Sequence, residues 1–249
     1  LCGLRFEVSP YSFFQVHKEQ AEILYEKALA YADLKGGETV IDAYCGTGTI
    51  SLCLAKKAKR VIGIEIVKSA IEDAKKNAKM NHMENTEFYA ADAGKFMPQL
   101  YRKGLVPDVI VMDPVRAGCS EEVLKAAAGM NPKRIVYVSC NPATFARDAK
   151  ILKSEGYEIK EVQPVDMFPQ TMHVETVCLL VLRNPVTHIN IDVDVEELVQ
   201  DKRGRATYGQ IQEYVKEHTG LNVTNLNVTQ TKRKCGIIER ENYNLPKLE

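Results

Sequence analysis

Two side chains suited to chemistry, a thiol and a carboxylate, stand at the ends of apolar runs. Cys140 closes the run RIVYVSC, and Glu175 opens the run ETVCLLVLR. The residues after Cys140, NPATFARD, are typical of a helix start, with Asn141 as the cap and Pro142 in the first turn. A thiol beside a helix N-terminus is favoured as thiolate, a good nucleophile. A single cysteine is, however, more often a small buried apolar residue.

A second candidate site is the glycine-containing turn in DAYCGTGTISL, residues 42–52. Gly46 and Gly48 permit a tight strand-to-helix turn and a close approach of the backbone to a ligand. Glu65 stands 19 positions after Gly46, where nucleotide-binding sheets place a carboxylate for ribose hydroxyls. The glycines could equally be simple turn residues and Glu65 a solvated charge. The turn lacks the dinucleotide pattern G-x-G-x-x-G and the phosphate-binding pattern G-K-[ST].

Two aspartates also follow apolar runs. Asp92 ends TEFYAAD, and Asp113 ends PDVIVMD. Ligands of open α/β sheets lie outside the carboxyl ends of the strands, so both carboxylates could face one ligand. The alternatives are a helix N-cap for Asp92 and a turn position for Asp113.

These positions require strands that share one carboxyl edge, and the hydrophobic pattern predicts such a sheet. Predicted strands cover 39–45, 60–66, 86–92, 107–113, 134–140, 157–168 and 175–183, and predicted helices 17–33, 49–58, 68–81, 93–103, 120–129 and 143–155. Alternation of this kind predicts an α/β fold with a mostly parallel sheet. The last two runs are joined by PQTMHV, which is too short for a crossover helix, so they should pair antiparallel. We therefore expect seven strands with only the last reversed, which places Glu175 on the same edge as Cys140.

The composition changes after Arg183, which predicts a main domain over 1–184 and a small β-α-β module over 185–249. In that module we expect a helix over 207–220 and a strand that includes TKRKCG. At the other end, LCGLRFEVSP reads as a strand, and the first residue is not Met, so we expect a fragment of a longer protein.

The overall composition narrows the class of protein. The formal net charge is zero, and no run approaches the roughly 20 apolar residues of a membrane span. Seven cysteines without paired spacing favour a reducing, cytoplasmic compartment. No Cys-x-x-Cys or His-rich cluster is present, so no metal site is expected. A monomer is expected.

Several motifs together make the chain similar to a known family. SPYSFFQVHKEQAEILY, DAYCGTGTISL, DPVRAGC, VSCNPATFARD and VDMFPQTMHVETV resemble the catalytic domain of the RNA uracil-5-methyltransferases over residues 3–183. The resemblance implies a Rossmann-like fold, S-adenosylmethionine as cofactor and RNA as partner. It implies Cys140 as the nucleophile, Glu175 as the base and the following cofactor positions: Gln15, Tyr44, Gly46, Glu65, Asp92 and Asp113. The family's Asp-Pro-Pro-Arg loop has Val115 here but keeps Asp113 and Arg116.

The resemblance leaves the substrate RNA open. The C-terminal stretch resembles an extension of some Firmicutes relatives, which favours 23S ribosomal RNA over transfer RNA. Family members usually carry an N-terminal RNA-binding barrel and often an iron–sulfur cluster, both outside these residues. An RNA cytosine-5-methyltransferase is disfavoured because Val115 and Arg116 replace its second cysteine. A fragment that binds S-adenosylmethionine or RNA without catalysis is a further alternative.

Overall fold

The computed structural model describes residues 1–10 and 12–183, and five positions of the C-terminal stretch, 209, 212, 213, 216 and 217, which are helical. The chain divides into two compact units, Leu1–Val186 and Thr187–Glu249. The five helical positions fall within the predicted helix 207–220. The rest of the predicted β-α-β module, including its strand at TKRKCG, lies outside the described residues.

Strands and helices alternate along the first unit. The helices are α1 Lys18–Ala32, α2 Thr49–Ala55, α3 Lys68–Met80, α4 Ala93–Arg102, α5 Glu121–Gly129 and α6 Pro142–Ser154. The strands are β1 Thr39–Ala43, β2 Arg60–Glu65, β3 Thr86–Ala90, β4 Val109–Met112, β5 Arg134–Ser139, β6 Tyr157–Val165 and β7 Glu175–Leu182. Among the described residues, no helix has the length and apolar character needed to cross a membrane.

The seven strands form one sheet in the order β3-β2-β1-β4-β5-β7-β6. Strands β1 to β5 pair in parallel, and β7 runs antiparallel to both β5 and β6. The predicted α/β fold with a reversed last strand is therefore confirmed. Strand β7 lies inside the sheet and β6 forms its edge, where Pro164 and the register shift between Ile159 and Glu161 disfavour pairing with another strand.

The central strands are buried on both faces, as parallel strands covered by helices must be. In β4 the alternate residues Ile110 and Met112 belong to one core cluster, which also contains side chains of α4, α5 and α6. Val109 and Val111 belong to the other, with side chains of α1 and α2. This rigid centre holds the strand ends in fixed positions at the carboxyl edge.

The N-terminal segment is not a strand, contrary to the prediction. Its backbone N–H groups donate to side chains spaced four residues apart on α3 and its C-cap, instead of to another strand. Arg5 donates to Asn81 Oδ1 at 2.9 Å, Glu7 to Asn77 Oδ1 at 2.7 Å, and Ser9 to Asp73 Oδ2 at 3.0 Å. Alternate backbone donors thus find acceptors on a helix face, which satisfies them without a sheet ladder.

Each predicted strand runs one to three residues too far at its carboxyl end, and β3 and β6 illustrate the reason. Strand β3 ends at Ala90, because Asp92 leaves the sheet to cap α4. Strand β6 ends at Val165, whose carbonyl oxygen accepts a turn hydrogen bond from the N–H of Met167 at 2.9 Å.

Candidate active site

Cys140 and Glu175 face each other across the β5–β7 pair. The last paired residues of these strands are Ser139 and Thr176. Cys140 is the next residue beyond Ser139, and Glu175 the one before Thr176, so the antiparallel register sets them opposite each other. On its other side Glu175 pairs with Val165 of β6. The reversed strand therefore brings together two groups that are 35 residues apart in the sequence.

The backbone around Cys140 is fixed by its neighbours. The Ser139 hydroxyl donates to the carbonyl oxygen of Asn141 at 2.9 Å and accepts from the N–H of the same residue at 3.1 Å. Asn141 caps α6, since its Oδ1 accepts from the N–H of Ala143 at 3.1 Å, and Pro142 is the first helical residue. The predicted cap and first turn are confirmed. They leave the thiol half-buried.

Other groups near the Cys140 thiol oppose the effect expected from the helix N-terminus. The pKa of Cys140 is raised above its usual value, first by burial and then by the negative charges of Glu175 and Asp113. The positive charge of Arg116 acts in the opposite direction but is the smaller effect. Burial and nearby negative charges both disfavour the charged form of a thiol.

Glu175 is a buried carboxyl group with 5% of its surface exposed. Burial raises its pKa, and the Arg116 guanidinium opposes that change. Arg116 Nη2 lies 3.2 Å from Nδ1 of His173, which joins the loop after β4 to the loop before β7. A carboxylate with a raised pKa is a stronger base than a solvated one.

Asp113 follows β4 and contributes the third acid. Its pKa is raised to about 7 by burial, by Glu175 and by Asp42. Cys140, Glu175 and Asp113 therefore form one electrostatic cluster with Arg116. Clusters of groups with shifted pKa values are characteristic of functional sites.

Sequence reasoning did not single out Asp42, which lies in β1 with no exposed surface. Burial raises its pKa to about 7, against the hydrogen bond that Ser51 donates to its Oδ2 at 2.6 Å. Its Oδ1 has no hydrogen-bond partner, and neither does the buried hydroxyl of Thr47 in the glycine turn. An aspartate inside an otherwise apolar strand, VIDAYC, is the signal that could have revealed it.

The glycine turn brings together the predicted cofactor residues of β1 and β2. Tyr44 has a left-handed backbone, φ +105°, which is uncommon for a residue with a side chain. The N–H of Gly46 donates to Oε2 of Glu65 at 3.3 Å, and that of Val67 donates to Oε1 at 2.9 Å. A Cβ on Gly46, φ +52°, would meet no atom within 4 Å, whereas one on Gly48 would touch Ala74 at 3.2 Å. The space beside Gly46 is open to a ligand.

The remaining predicted cofactor residues lie in separate segments. Gln15 is buried, with 8% exposure, just before α1. Asp92 is exposed and caps α4, accepting from the N–H of Lys95 at 3.1 Å, as its alternative interpretation expected. Asp92 also lies close enough to Tyr44 to contribute to the raised pKa of that phenol, after burial and Cys119.

These features fit a cofactor that carries both ammonium and hydroxyl groups. Asp42 Oδ1 and Thr47 Oγ1 are buried acceptors without partners, and a buried polar atom of this kind usually has a partner in the functional state. Glu65 offers a carboxylate at the end of β2. Among the described residues, no cluster of three or more His, Cys, Asp or Glu side chains could hold a metal ion.

The sheet order, with the reversed strand inside it, is that of the Rossmann-like S-adenosylmethionine-dependent methyltransferases. A solved structure that shares the fold is NSun6 from Pyrococcus horikoshii, with 17% identity and a TM-score of 0.55 over 64% of this chain and 52% of that one. At this identity the likeness shows the fold alone.

The family is defined by a stronger match. A model described as tRNA (uracil-5-)-methyltransferase matches residues 3–183, so the chain belongs to that family. An RNA methyltransferase of Listeria innocua, described as uncharacterized, is 56% identical over 73% of this chain and 40% of its own length. One of Caldanaerobacter subterraneus, with the same description, is 57% identical over 71% of this chain and 39% of its own.

A solved relative supports the same assignment. The tRNA (uracil-54, C5)-methyltransferase of Pyrococcus abyssi, in complex with S-adenosyl-L-homocysteine, is 38% identical with a TM-score of 0.60, over 71% of this chain and 42% of that one. The predicted membership of the RNA uracil-5-methyltransferase family is confirmed. The chain spans about two-fifths of the length of the relatives it matches.

Proposed function

We propose that this chain transfers a methyl group from S-adenosylmethionine to carbon 5 of a uridine in RNA, with Cys140 as the nucleophile and Glu175 as the general base. The observation that supports this most directly is the register of β5 and β7, which sets the thiol opposite the carboxyl group beside Asp113. This arrangement supports a shared role for the two side chains in one reaction.

The chemistry explains why both groups are required. Carbon 5 of uracil is too weak a nucleophile to take a methyl group unaided. The Cys140 thiol loses its proton to solvent and its sulfur bonds to carbon 6. The π bond between carbons 5 and 6 breaks, and its electrons make carbon 5 an enolate carbon, which is covalent activation. When bound, S-adenosylmethionine supplies an electrophilic methyl group.

Glu175 completes the reaction by removing the proton from carbon 5. The electrons of that carbon–hydrogen bond re-form the double bond between carbons 5 and 6, and the carbon 6–sulfur bond breaks with its electrons returning to Cys140. The raised pKa of Glu175 suits this step, because a stronger base shares the proton more fully in the transition state. The Arg116 guanidinium opposes the rise in the pKa of both Cys140 and Glu175, which favours the ionised forms that attack and proton removal require.

For the cofactor we propose the residues at the glycine turn and their neighbours. Gly46 gives the open backbone approach, and Glu65 offers its carboxylate to the ribose hydroxyls, as in other nucleotide-binding sheets. Asp113 faces the reacting centre. The other proposed contacts are Gln15, Tyr44 and Asp92.

Exposed apolar side chains close in sequence to the proposed site residues support RNA as the substrate. Phe13 is 76% exposed and Val16 85%, and they flank Gln15. Val115, 74% exposed, precedes Arg116, and Met172, 92% exposed, precedes His173. Unpaired bases stack on aromatic side chains such as Phe13, and a uridine must leave its own stack to reach a pocket.

We propose 23S ribosomal RNA as the substrate, with transfer RNA as the alternative. The proposal is supported by the resemblance of the C-terminal stretch to an extension of some Firmicutes relatives, whereas the Pyrococcus abyssi relative is a tRNA (uracil-54, C5)-methyltransferase. We further propose a monomeric, cytoplasmic protein. Mapping 5-methyluridine in ribosomal and transfer RNA from a deletion strain distinguishes the two substrates.

The proposal is tested by incubating the chain with labelled S-adenosylmethionine and unmodified ribosomal or transfer RNA. We expect label in 5-methyluridine. Label in 5-methylcytidine would support the cytosine alternative. Calorimetry with S-adenosylmethionine is run beside the assay. Cofactor binding without methyl transfer to either RNA would favour the non-catalytic fragment.

A further inference from the structure

The first two turns of α6 bind the loop between β4 and α5. Helix α6 begins two residues after Cys140, and this loop, residues 113–120, carries Asp113 and Arg116. The contacts come from three α6 side chains: Thr144 Oγ1 donates to the Arg116 carbonyl at 3.3 Å, Arg147 Nη2 to the carbonyls of Ala117 and Cys119 at 2.9 and 3.1 Å, and Asp148 Oδ2 accepts from the Cys119 N–H at 2.7 Å.

Asp148 is the centre of this arrangement and has no exposed surface. Its Oδ2 also accepts from the hydroxyl of Tyr137 in β5 at 2.6 Å, and its Oδ1 accepts from Nε of Arg147 at 2.8 Å. One buried carboxylate thus joins a strand, a helix and a loop. Its charged partner Arg147 is exposed, so the pair joins a buried carboxylate to a solvated guanidinium. The best-supported use of a charge buried in this way is to specify one arrangement.

Gly118, in the loop, allows the close approach between the loop and α6. Its φ is +76°, a conformation that side chains rarely adopt, and a Cβ would lie 2.6 Å from Asp148 Oδ2 and 2.7 Å from Arg147 Nη2. Any other residue at 118 would push the loop away from α6. Loop and helix are therefore matched to each other.

We propose that Arg147 and Asp148 are positioning residues that lock the Arg116 loop and the Cys140 backbone into one rigid unit. The proposal rests on the proposed role of Cys140 as nucleophile. The groups that face the thiol are Glu175, Asp113 and Arg116, and Arg116 alone among these three favours the thiolate. Because Asp113 directly follows β4, a loosened loop displaces Arg116 more than Asp113.

The test is the pH dependence of Cys140 alkylation by iodoacetamide, measured at this cysteine by peptide mass spectrometry on the full chain. The variant Asp148→Asn replaces one carboxylate oxygen with an NH₂ group, which cannot accept a hydrogen bond. In either orientation of the amide, this group faces hydrogen-bond donors, either those of Cys119 and Tyr137 or that of Arg147, so the contact is lost. We expect the midpoint of alkylation to move up by about half a pH unit or more, as Arg116 leaves the thiol. Hydrogen exchange of the 115–119 amides should become about tenfold faster.

Gly118→Ala disrupts the same contact from the loop side and should raise the alkylation midpoint in the same way. In the double variant of Gly118→Ala and Asp148→Asn, the shift should be no larger than the larger of the two single shifts. Arg147→Lys should lie between wild type and Arg147→Ala. The matched control is Asp108→Asn, at the opposite edge, where Asp108 also accepts a backbone N–H, from Thr39 at 3.0 Å, and contacts a cation, Lys133. This control should leave the midpoint unchanged.

An unchanged midpoint in both Asp148→Asn and Gly118→Ala, or an equal shift in Asp108→Asn, would overturn the positioning role. This readout requires neither RNA nor methyl transfer. If the wild-type chain methylates RNA through Cys140 and the variants show no shift in the alkylation midpoint, the positioning role alone is contradicted. Methyl transfer by Cys140→Ala contradicts the proposed function and leaves the alkylation result standing.

Discussion

Several carboxyl groups at the two edges of the sheet have pKa values shifted in opposite directions. At the amino edge, Asp33 lies 2.6 Å from Lys35, and Glu158 contacts Lys160, so the pKa of each carboxyl group is lowered. At the carboxyl edge, burial raises the pKa of Asp42, Asp113 and Glu175. Paired, solvated acids are ordinary surface charges, whereas buried acids with raised pKa values are destabilising when ionised. Their presence on one edge indicates a function there.

Removing the Cys140 thiol should have the largest effect of any change at the carboxyl edge. We expect Cys140→Ala to abolish methyl transfer to RNA, because carbon 5 is then no longer activated, while S-adenosylmethionine affinity by calorimetry stays within about threefold. Cys178→Ala, a buried cysteine in the middle of β7, is the matched control and should keep activity in proportion to folded protein. A large loss of cofactor affinity in Cys140→Ala would mean that the cysteine is structural.

Glu175→Gln should have the next largest effect. Without a base at this position, the methylated adduct cannot lose its carbon 5 proton, and turnover should fall by about 10²- to 10⁴-fold. A covalent RNA–protein complex should accumulate and appear as a shifted band on a denaturing gel. Rapid turnover without such a band would show that another group is the base.

Asp42 should make the protein less stable as the pH rises. Its folded pKa of about 7 lies above the unfolded value of 3.8, so stability is highest below the unfolded pKa and is lost as the pH rises through the folded pKa. Between pH 5 and 8 the loss from this group is up to about 3 kcal/mol. Urea unfolding of Asp42→Asn at both pH values should show a smaller drop than wild type; an equal drop would mean that Asp42 ionises normally.

The amino edge should respond least. Glu158→Gln removes an exposed charge paired with Lys160, and exposed pairs contribute little to stability. We expect wild-type methyl transfer and a melting curve that overlaps that of the wild type. A loss of activity comparable to that of Glu175→Gln would erase the distinction between the two edges.

Local sequence was sufficient for the elements and for the start of α6. The alternation of apolar runs and amphipathic segments predicted the strands and helices, because burying a strand or one face of a helix requires apolar residues at a characteristic spacing. Asn141 and Pro142 predicted the helix start, because capping involves only neighbouring residues. The prediction of a strand for the N-terminal segment was wrong because local sequence does not reveal distant partners. The hydrogen-bond acceptors of this segment lie on α3 and its C-cap, far along the chain.

The sequence by itself determined the fold class, the family and the order of the motifs. Only the tertiary structure decided that Cys140 and Glu175 face each other, since that depends on the register of the reversed strand. It also decided that the thiol has a raised pKa, that Asp42 is buried without a partner for Oδ1, and that Asp148 binds the Arg116 loop. Strand register, desolvation and close packing join residues that are distant in sequence, so no local pattern can encode them alone.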